Sequence, residues 1–182
     1  MPPETIESEE RKKYQIIYAD PPWRYDFSNT KNREIENKYP TMDLKDIKRL
    51  KIPSDDNAVL YLWATAPKLL EALEVMLAWG FTYKTQAIWD KEIIGMGYWF
   101  RGQHEILLVG TKGKVSPPIP SERISSIYRE KRTKHSKKPM AIRAIITKSF
   151  PADWNRLEMF AREKTSPSWD VWGNEVESDI NF

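Results

Sequence analysis

The sequence has no cysteine. That excludes disulfide bridges, a thiolate nucleophile and zinc held by thiolates. Histidine is scarce, with two residues, so no metal centre is expected. No apolar run approaches the length of a membrane span, and no signal peptide is expected. With the missing cysteines, this fits a cytoplasmic setting. No Gly-x-Gly-x-x-Gly follows the first strand-like segment, so no dinucleotide-type phosphate cradle is expected there. Gly95-Met96-Gly97-Tyr98-Trp99-Phe100-Arg101-Gly102 is glycine-rich only on the surface: its spacing is wrong and bulky aromatics fill it. It reads as a loop near substrate. Charge of one sign is not in large excess either, with a net charge of only +3.

What is present suits one compact domain. The chain has 182 residues, 40% hydrophobic and 30% charged, which argues against wholesale disorder. Residues 1–13 are polar and expected to be flexible, and residues 14–182 are expected to form a single domain. Eight Trp and eight Tyr suit either a core or stacking on bases. Residues 129–138 hold six Lys or Arg against one Glu, a candidate phosphate-binding run.

Periodicity predicts a buried strand over residues 14–19, stopped by Asp20-Pro21-Pro22. A short helix follows, capped by Thr41 or Asp43, with Leu44, Ile47 and Leu50 inward. A second strand is expected over residues 58–63. The clearest helix begins near Pro67 and ends before Gly80, with Leu69, Leu70, Leu73, Met76 and Leu77 forming its apolar face. Strands are predicted over residues 82–89, 105–109, 156–160 and near 170–172. Residues 111–126 read as a long mobile loop. Pro139 opens a helix with Ile142, Ile145 and Ile146 inward. Strands alternating with helices indicate an α/β domain with a mainly parallel sheet, whose ligands bind at the carboxyl ends of the strands.

The most specific feature is Asp20-Pro21-Pro22-Trp23 after a buried strand. Asp-Pro-Pro alone reads as an ordinary proline turn with a packed Trp; after a buried strand and before an aromatic it also suits a demanding reaction, methylation of an exocyclic adenine amine. The N6 lone pair is delocalised into the ring and is a poor nucleophile. Two acceptors on the amine hydrogens favour a more tetrahedral nitrogen and accommodate the positive charge that develops there. Asp20 offers a carboxylate and Pro21 a carbonyl, in a loop stiffened by proline. Trp23 offers a flat face to an extruded base.

Several ordered blocks carry a family resemblance: Ala19-Asp20-Pro21-Pro22-Trp23, Tyr39-Pro40-Thr41-Met42, Leu62-Trp63-Ala64-Thr65, Ile88-Trp89-Asp90-Lys91, His104 through Gly110, His135-Ser136-Lys137-Lys138-Pro139, Leu157 through Arg162, and Trp169 through Asn174. In this order they resemble the MT-A70 family of S-adenosylmethionine-dependent N6-adenine methyltransferases. The likeness is to its small bacterial and phage members. The resemblance implies a Rossmann-like class I methyltransferase fold with permuted motif order and S-adenosylmethionine as cofactor.

It also implies that Asp20 lies near the methionine ammonium and that Lys138 meets the methionine carboxylate. Phe160, Arg162, Lys164 and Thr165 would follow the cofactor's methionine and ribose, and Asn174 and Glu175 its ribose or adenine. The family often has an amide where this chain has Glu175. Glu158 is expected to orient or support the site. Substrate contacts are expected from Tyr39, Trp99, Arg129, Lys131, Arg132 and Lys134. DNA is the favoured nucleic acid, with RNA as the alternative. The family uses the surface around residues 89–104 for pairing, so a homodimer or a related partner subunit is expected. A non-catalytic nucleic-acid-binding subunit is the remaining reading; degenerate members lose the acid or aromatic of the motif, and this chain keeps both.

Overall fold

The computed structural model describes residues 12–25, 40–133 and 137–181. Strand β1, Tyr14–Ala19, is buried along almost its whole length. A near-continuous apolar run of this kind belongs in the middle of a parallel sheet covered on both faces. Seven strands form the sheet among the described residues: β2 (Ser54–Ala64), β3 (Thr82–Asp90), β4 (His104–Lys112), β5 (Ile127–Arg129), β6 (Arg156–Met159) and β7 (Asp170–Trp172) join β1 in the order β5-β3-β4-β2-β1-β6-β7. Strands β1, β2, β6 and β7 are mutually parallel, and β3 is parallel to β5. Only β4 runs against its neighbours. The carboxyl ends of the other six strands therefore gather on one edge, together with the start of β4.

Helices α1 (Leu44–Arg49) and α2 (Leu69–Ala78) cover one face of the sheet, over Ile17, Leu60 and Leu62. Helix α3 (Met140–Lys148) covers the other, with Ile142 and Ile146 against Ile16, Tyr18 and Val59. The expected α/β architecture is thus present, and the late strand β6 lies directly beside the first strand.

Two local expectations are corrected and one is refined. Helix α2 does start beside Pro67, in a 3-10 turn over Ala66–Lys68, and Gly80 beyond it takes φ +84°. Its buried residues, however, are Ala72, Val75 and Met76, while Leu70 and Leu77 are 74% and 66% exposed. Apolar residues lie on several sides of this helix, so period alone leaves its phase open; the side that carries Met76 packs against Gly110 of β4. Residues 111–126 are largely the expected loop, with regular structure at its start and in its middle. Thr111 and Lys112 finish β4, a 3-10 turn spans Pro120–Glu122, and β5 follows at the sheet edge. Three residues are too few to show a strand period. In α3, Arg143 is buried alongside Ile142 and Ile146, and Ile145 is only half-buried.

Arg156 fixes the turn that feeds β6. It is buried, and its guanidinium donates to the carbonyls of Pro151 (2.6 Å), Trp154 (2.7 Å) and Ala152 (3.2 Å). Carbonyls that would otherwise lack partners inside a tight loop are satisfied in this way. None of the helices among the described residues is long and apolar enough to cross a membrane.

Candidate active site

Past Ala19 the backbone N–H of Asp20 still reaches the Met159 carbonyl (3.4 Å), and then the prolines end the ladder. The loop is held on both sides. Trp23 N–H donates to the Pro21 carbonyl (2.9 Å), and Met42 N–H to the Pro22 carbonyl (2.9 Å). The Pro21 oxygen thus has one lone pair engaged and one to offer. Trp23 is 5% exposed, and its indole N–H donates to the Trp63 carbonyl (3.2 Å). It is a fixed wall rather than a mobile platform.

Lys138, at the entry to α3, places its ammonium 2.6 Å from Asp20 Oδ2 and 3.2 Å from Glu105 Oε2. Lys91 Nζ stands 3.5 Å from the other Glu105 oxygen. Acid and base alternate along this chain of four, and the Lys138 and Glu105 side chains are only 11% and 14% exposed. Burial raises the Asp20 carboxyl above its usual range; the Lys138 charge pulls it down, and Glu105 adds to the rise. Burial alone would depress Lys138, but Asp20 and Glu105 together outweigh it and leave the ammonium raised, so it is firmly charged.

Asp20 and Lys138 stand between two cavities. The larger, of about 460 Å³, is lined by the Asp20-Pro21-Pro22-Trp23 loop, Trp89, Glu105, Arg132, Phe160, Arg162, Asn174 and Glu175, among others. Tyr25 closes part of it, with its hydroxyl 2.6 Å from Thr65 Oγ1. The smaller, of about 290 Å³, is lined by Tyr18, Lys138, Arg143, Glu158, Phe160, Arg162 and Thr165 together with Asp20.

The wall opposite Asp20 depends on an unusual backbone. Phe160 takes φ +61° directly after β6. Its ring meets Trp172 edge to face at 5.3 Å. Ala161 N–H donates to the Trp172 carbonyl (2.9 Å), and β7 passes so close that a Cβ on Gly173 would lie 2.0 Å from the Ala161 oxygen. Only glycine fits there, and it sets Asn174 and Glu175 against the cleft. Glu175 lies 3.5 Å from Arg162.

Beneath the smaller cavity, Arg143 donates to the Glu158 carboxylate and to Thr165 Oγ1. Burial raises Glu158, against the lowering effect of the Arg143 charge. This pair ties α3 to β6 and to the loop after it.

Most expected site residues converge. Asp20, Pro21, Pro22, Trp23, Lys138, Phe160, Arg162, Asn174, Glu175 and Arg132 line the larger cleft, and Thr165 the smaller. Others do not. Lys164 lines neither; its ammonium is 2.6 Å from Asp179. Arg129 sits in β5, paired with Asp90 at 3.6 Å, and exposed Lys131 lies outside both linings. Trp99 is 94% exposed on the β3–β4 connection, away from the cleft lining. Tyr39 and Lys134 fall outside the described residues.

The sequence reading assigned no role to Glu105, Arg143 or Tyr25. Glu105 had a signal: an acid opening an apolar strand at the ligand edge. Arg143 had none, because an arginine among isoleucines reads as the outer face of a helix.

The MT-A70 family model matches residues 14–175. A Type II methyltransferase, M.MunI, from a Mycoplasma species is 39% identical over 186 residues, covering 91% of this chain and 79% of that protein. The human N(6)-adenine-specific methyltransferase METTL4 is 26% identical over 188 residues, covering 91% of this chain but 38% of that protein. With the sheet order and the acid-bearing loop at its carboxyl edge, these matches identify the chain as a member of the MT-A70 family of S-adenosylmethionine-dependent N6-adenine methyltransferases.

Proposed function

We propose that the chain transfers a methyl group from S-adenosylmethionine to N6 of adenine in DNA, with Asp20 at the junction of cofactor and target base. The observation that carries the reading is the placement of Asp20, between two adjoining cavities and paired with Lys138. DNA is favoured over RNA by the likeness to small bacterial and phage members and by the Type II methyltransferase among the relatives.

The residues present fit the cofactor. A zwitterion with an ammonium and a carboxylate suits Asp20 and Lys138. A ribose diol suits Glu175, Asn174 and Arg162, and an adenine ring suits the aromatic wall of Phe160 and Trp172. The larger cleft lies within the roughly 300–1,000 Å³ common for small-molecule sites. Thr165 and Arg143 would shape the floor of the methionine end. Lys164 would act only by holding the loop to Asp179.

When bound, the cofactor supplies an electrophilic methyl group on a sulfonium. Everything else falls to the chain's own groups. Asp20 and the free lone pair of the Pro21 carbonyl accept the two amine hydrogens, and positive charge developing on N6 is stabilised by the carboxylate. The Pro22 and Pro21 anchors keep these acceptors from relaxing, so alignment precedes the reaction. Trp23 and Trp89 wall the base site, and Tyr25 excludes water. Arg132 sits at the rim, where a phosphate would pass.

Radiolabelled S-adenosylmethionine, offered with adenine-containing DNA and RNA pools and followed by nucleoside analysis, tests this reading. Label in N6-methyldeoxyadenosine is expected. Label only in N6-methyladenosine would move the substrate to RNA, and no label in either despite cofactor binding would overturn the reading for the isolated chain.

A further inference from the structure

Strand β1 buries one hydroxyl, on Tyr18, which is 3% exposed. Tyr18 stands two residues before Asp20, so both side chains leave the strand on the same face. That face is the one α3 covers. A phenol inside a sheet is costly unless its polar atoms are paired. The Tyr18 oxygen accepts from the Trp63 indole N–H (2.7 Å). Its own hydrogen meets no acceptor among the described residues.

The ring is held in place. Trp63 meets it edge to face at 6.4 Å, and Trp169 at 6.1 Å. Tyr18 lies in register with Glu158 on β6, but that carboxylate is taken by Arg143. The hydroxyl therefore stays a donor without a partner. Burial pushes the phenol above its ordinary range; the Trp63 bond opposes this, and Glu158 and Asp20 add to the rise. Tyr18 is thus protonated at neutral pH.

Tyr18 lines the smaller cavity and not the larger cleft. The other donors there are engaged: Arg143 with Glu158 and Thr165, Lys137 with Glu163, and Lys138 with Asp20 and Glu105. The Lys138 ammonium also stands over the Trp63 ring, 5.5 Å from its centroid. One indole thus has Tyr18 at its N–H and Lys138 over its face.

Resting on the proposed methyl transfer, we infer that Tyr18 donates its hydroxyl hydrogen to the methionine carboxylate of S-adenosylmethionine, alongside Lys138. A carboxylate has about four lone-pair sites, so one ammonium leaves acceptors unfilled. In a buried cavity the phenol fills one of them, and its own stranded hydrogen is satisfied in the same contact. Asp20 is left to the ligand ammonium and the target amine. Tyr18 is a binding residue that reads the carboxylate, two residues before the acid that serves the reaction.

The test measures binding of S-adenosylmethionine and of its decarboxylated analogue by calorimetry, for the wild type and Tyr18→Phe. The analogue keeps the ammonium, sulfonium, ribose and adenine, so the ratio of the two dissociation constants isolates the carboxylate. Tyr18→Phe also takes the acceptor from Trp63; any loosening that results weakens both ligands alike and cancels in the ratio. A second pair, Trp63→Phe with and without Tyr18→Phe, repeats the comparison with no indole N–H to strand. The wild type is expected to prefer the ligand that carries the carboxylate. Loss of the phenol should cut that preference about tenfold in both pairs, the scale of one hydrogen bond to a charged group. An unchanged ratio in either pair would overturn the assignment and leave Tyr18 as a partner for Trp63 alone. So would a wild type that binds both ligands equally. A wild type that binds neither would fail the methyl-transfer reading itself, before Tyr18 is reached.

Discussion

The two ends of the sheet's carboxyl edge are built on opposite physical plans. Around Asp20 at the end of β1, with Glu105 reaching in from β4, an acid, a lysine and a second acid are sunk among aromatic walls, with side-chain exposures of 28%, 11% and 14%. At the β3–β5 end the aromatics face outward and the cations stand in solvent. The first plan fixes a few charges out of water, which suits the proposed zwitterionic cofactor and target amine. The second offers exposed aromatic faces and exposed cations. The difference teaches that burial, not residue type, separates the two ends: each contains Trp, Lys and Arg.

Breaking the buried end should cost most. Asp20→Ala removes the carboxylate acceptor and is expected to lower kcat by about 10²–10³-fold, as removal of one preorganised charge-stabilising group does. Lys138 keeps Glu105 at 3.2 Å, so the fold should stand; single-turnover methylation and circular dichroism on the same sample check both statements. Arg143→Met strands the half-buried Glu158 carboxylate and should cost about 1–3 kcal/mol of stability in urea unfolding. Adding Glu158→Gln should recover part of that loss, because the stranded charge goes with it.

Acid should act on the same end. Burial and Glu105 hold Asp20 above 3.8, against the pull of Lys138. A raised carboxyl takes up its proton at higher pH, and a protonated Asp20 is a poorer acceptor. The acid limb of kcat/KM is therefore expected above pH 3.8, and Asp20→Asn should lack that limb in a pH-rate profile. The smallest effect belongs to the open end. Lys131→Ala should weaken DNA binding only a few-fold and reduce the slope of log affinity against log salt by about one, measured by fluorescence anisotropy. A larger loss there than at Asp20 would reverse the comparison.

The sequence made the buried end legible because its demands are local. Strand β1 followed by two prolines can only be a buried strand that stops, and β7 was found at residues 170–172 where the structure has it. Asp20, Phe160 and Asn174 follow strand ends and so arrive at one edge. What was illegible depends on partners distant in sequence. The phase of α2 is set by which side meets the sheet, and β5 exists because Asp90 and Trp89 offer it a ladder. Arg143 is buried only because Glu158 faces it, fifteen residues on. Lys164 was expected at the ribose, but Asp179 is within its reach.

The division of the edge is tested most directly by measuring both ligands on one variant from each end. S-adenosylmethionine binding by calorimetry and duplex DNA binding by anisotropy would be compared for Lys138→Met and Lys131→Ala. Lys138→Met is expected to weaken the cofactor about 10–100-fold, the scale of a lost hydrogen bond to a charged group, with DNA affinity little changed; Lys131→Ala should weaken DNA a few-fold and leave the cofactor unaffected. If both variants weakened the same ligand, the two ends would share one task, and the account would be wrong.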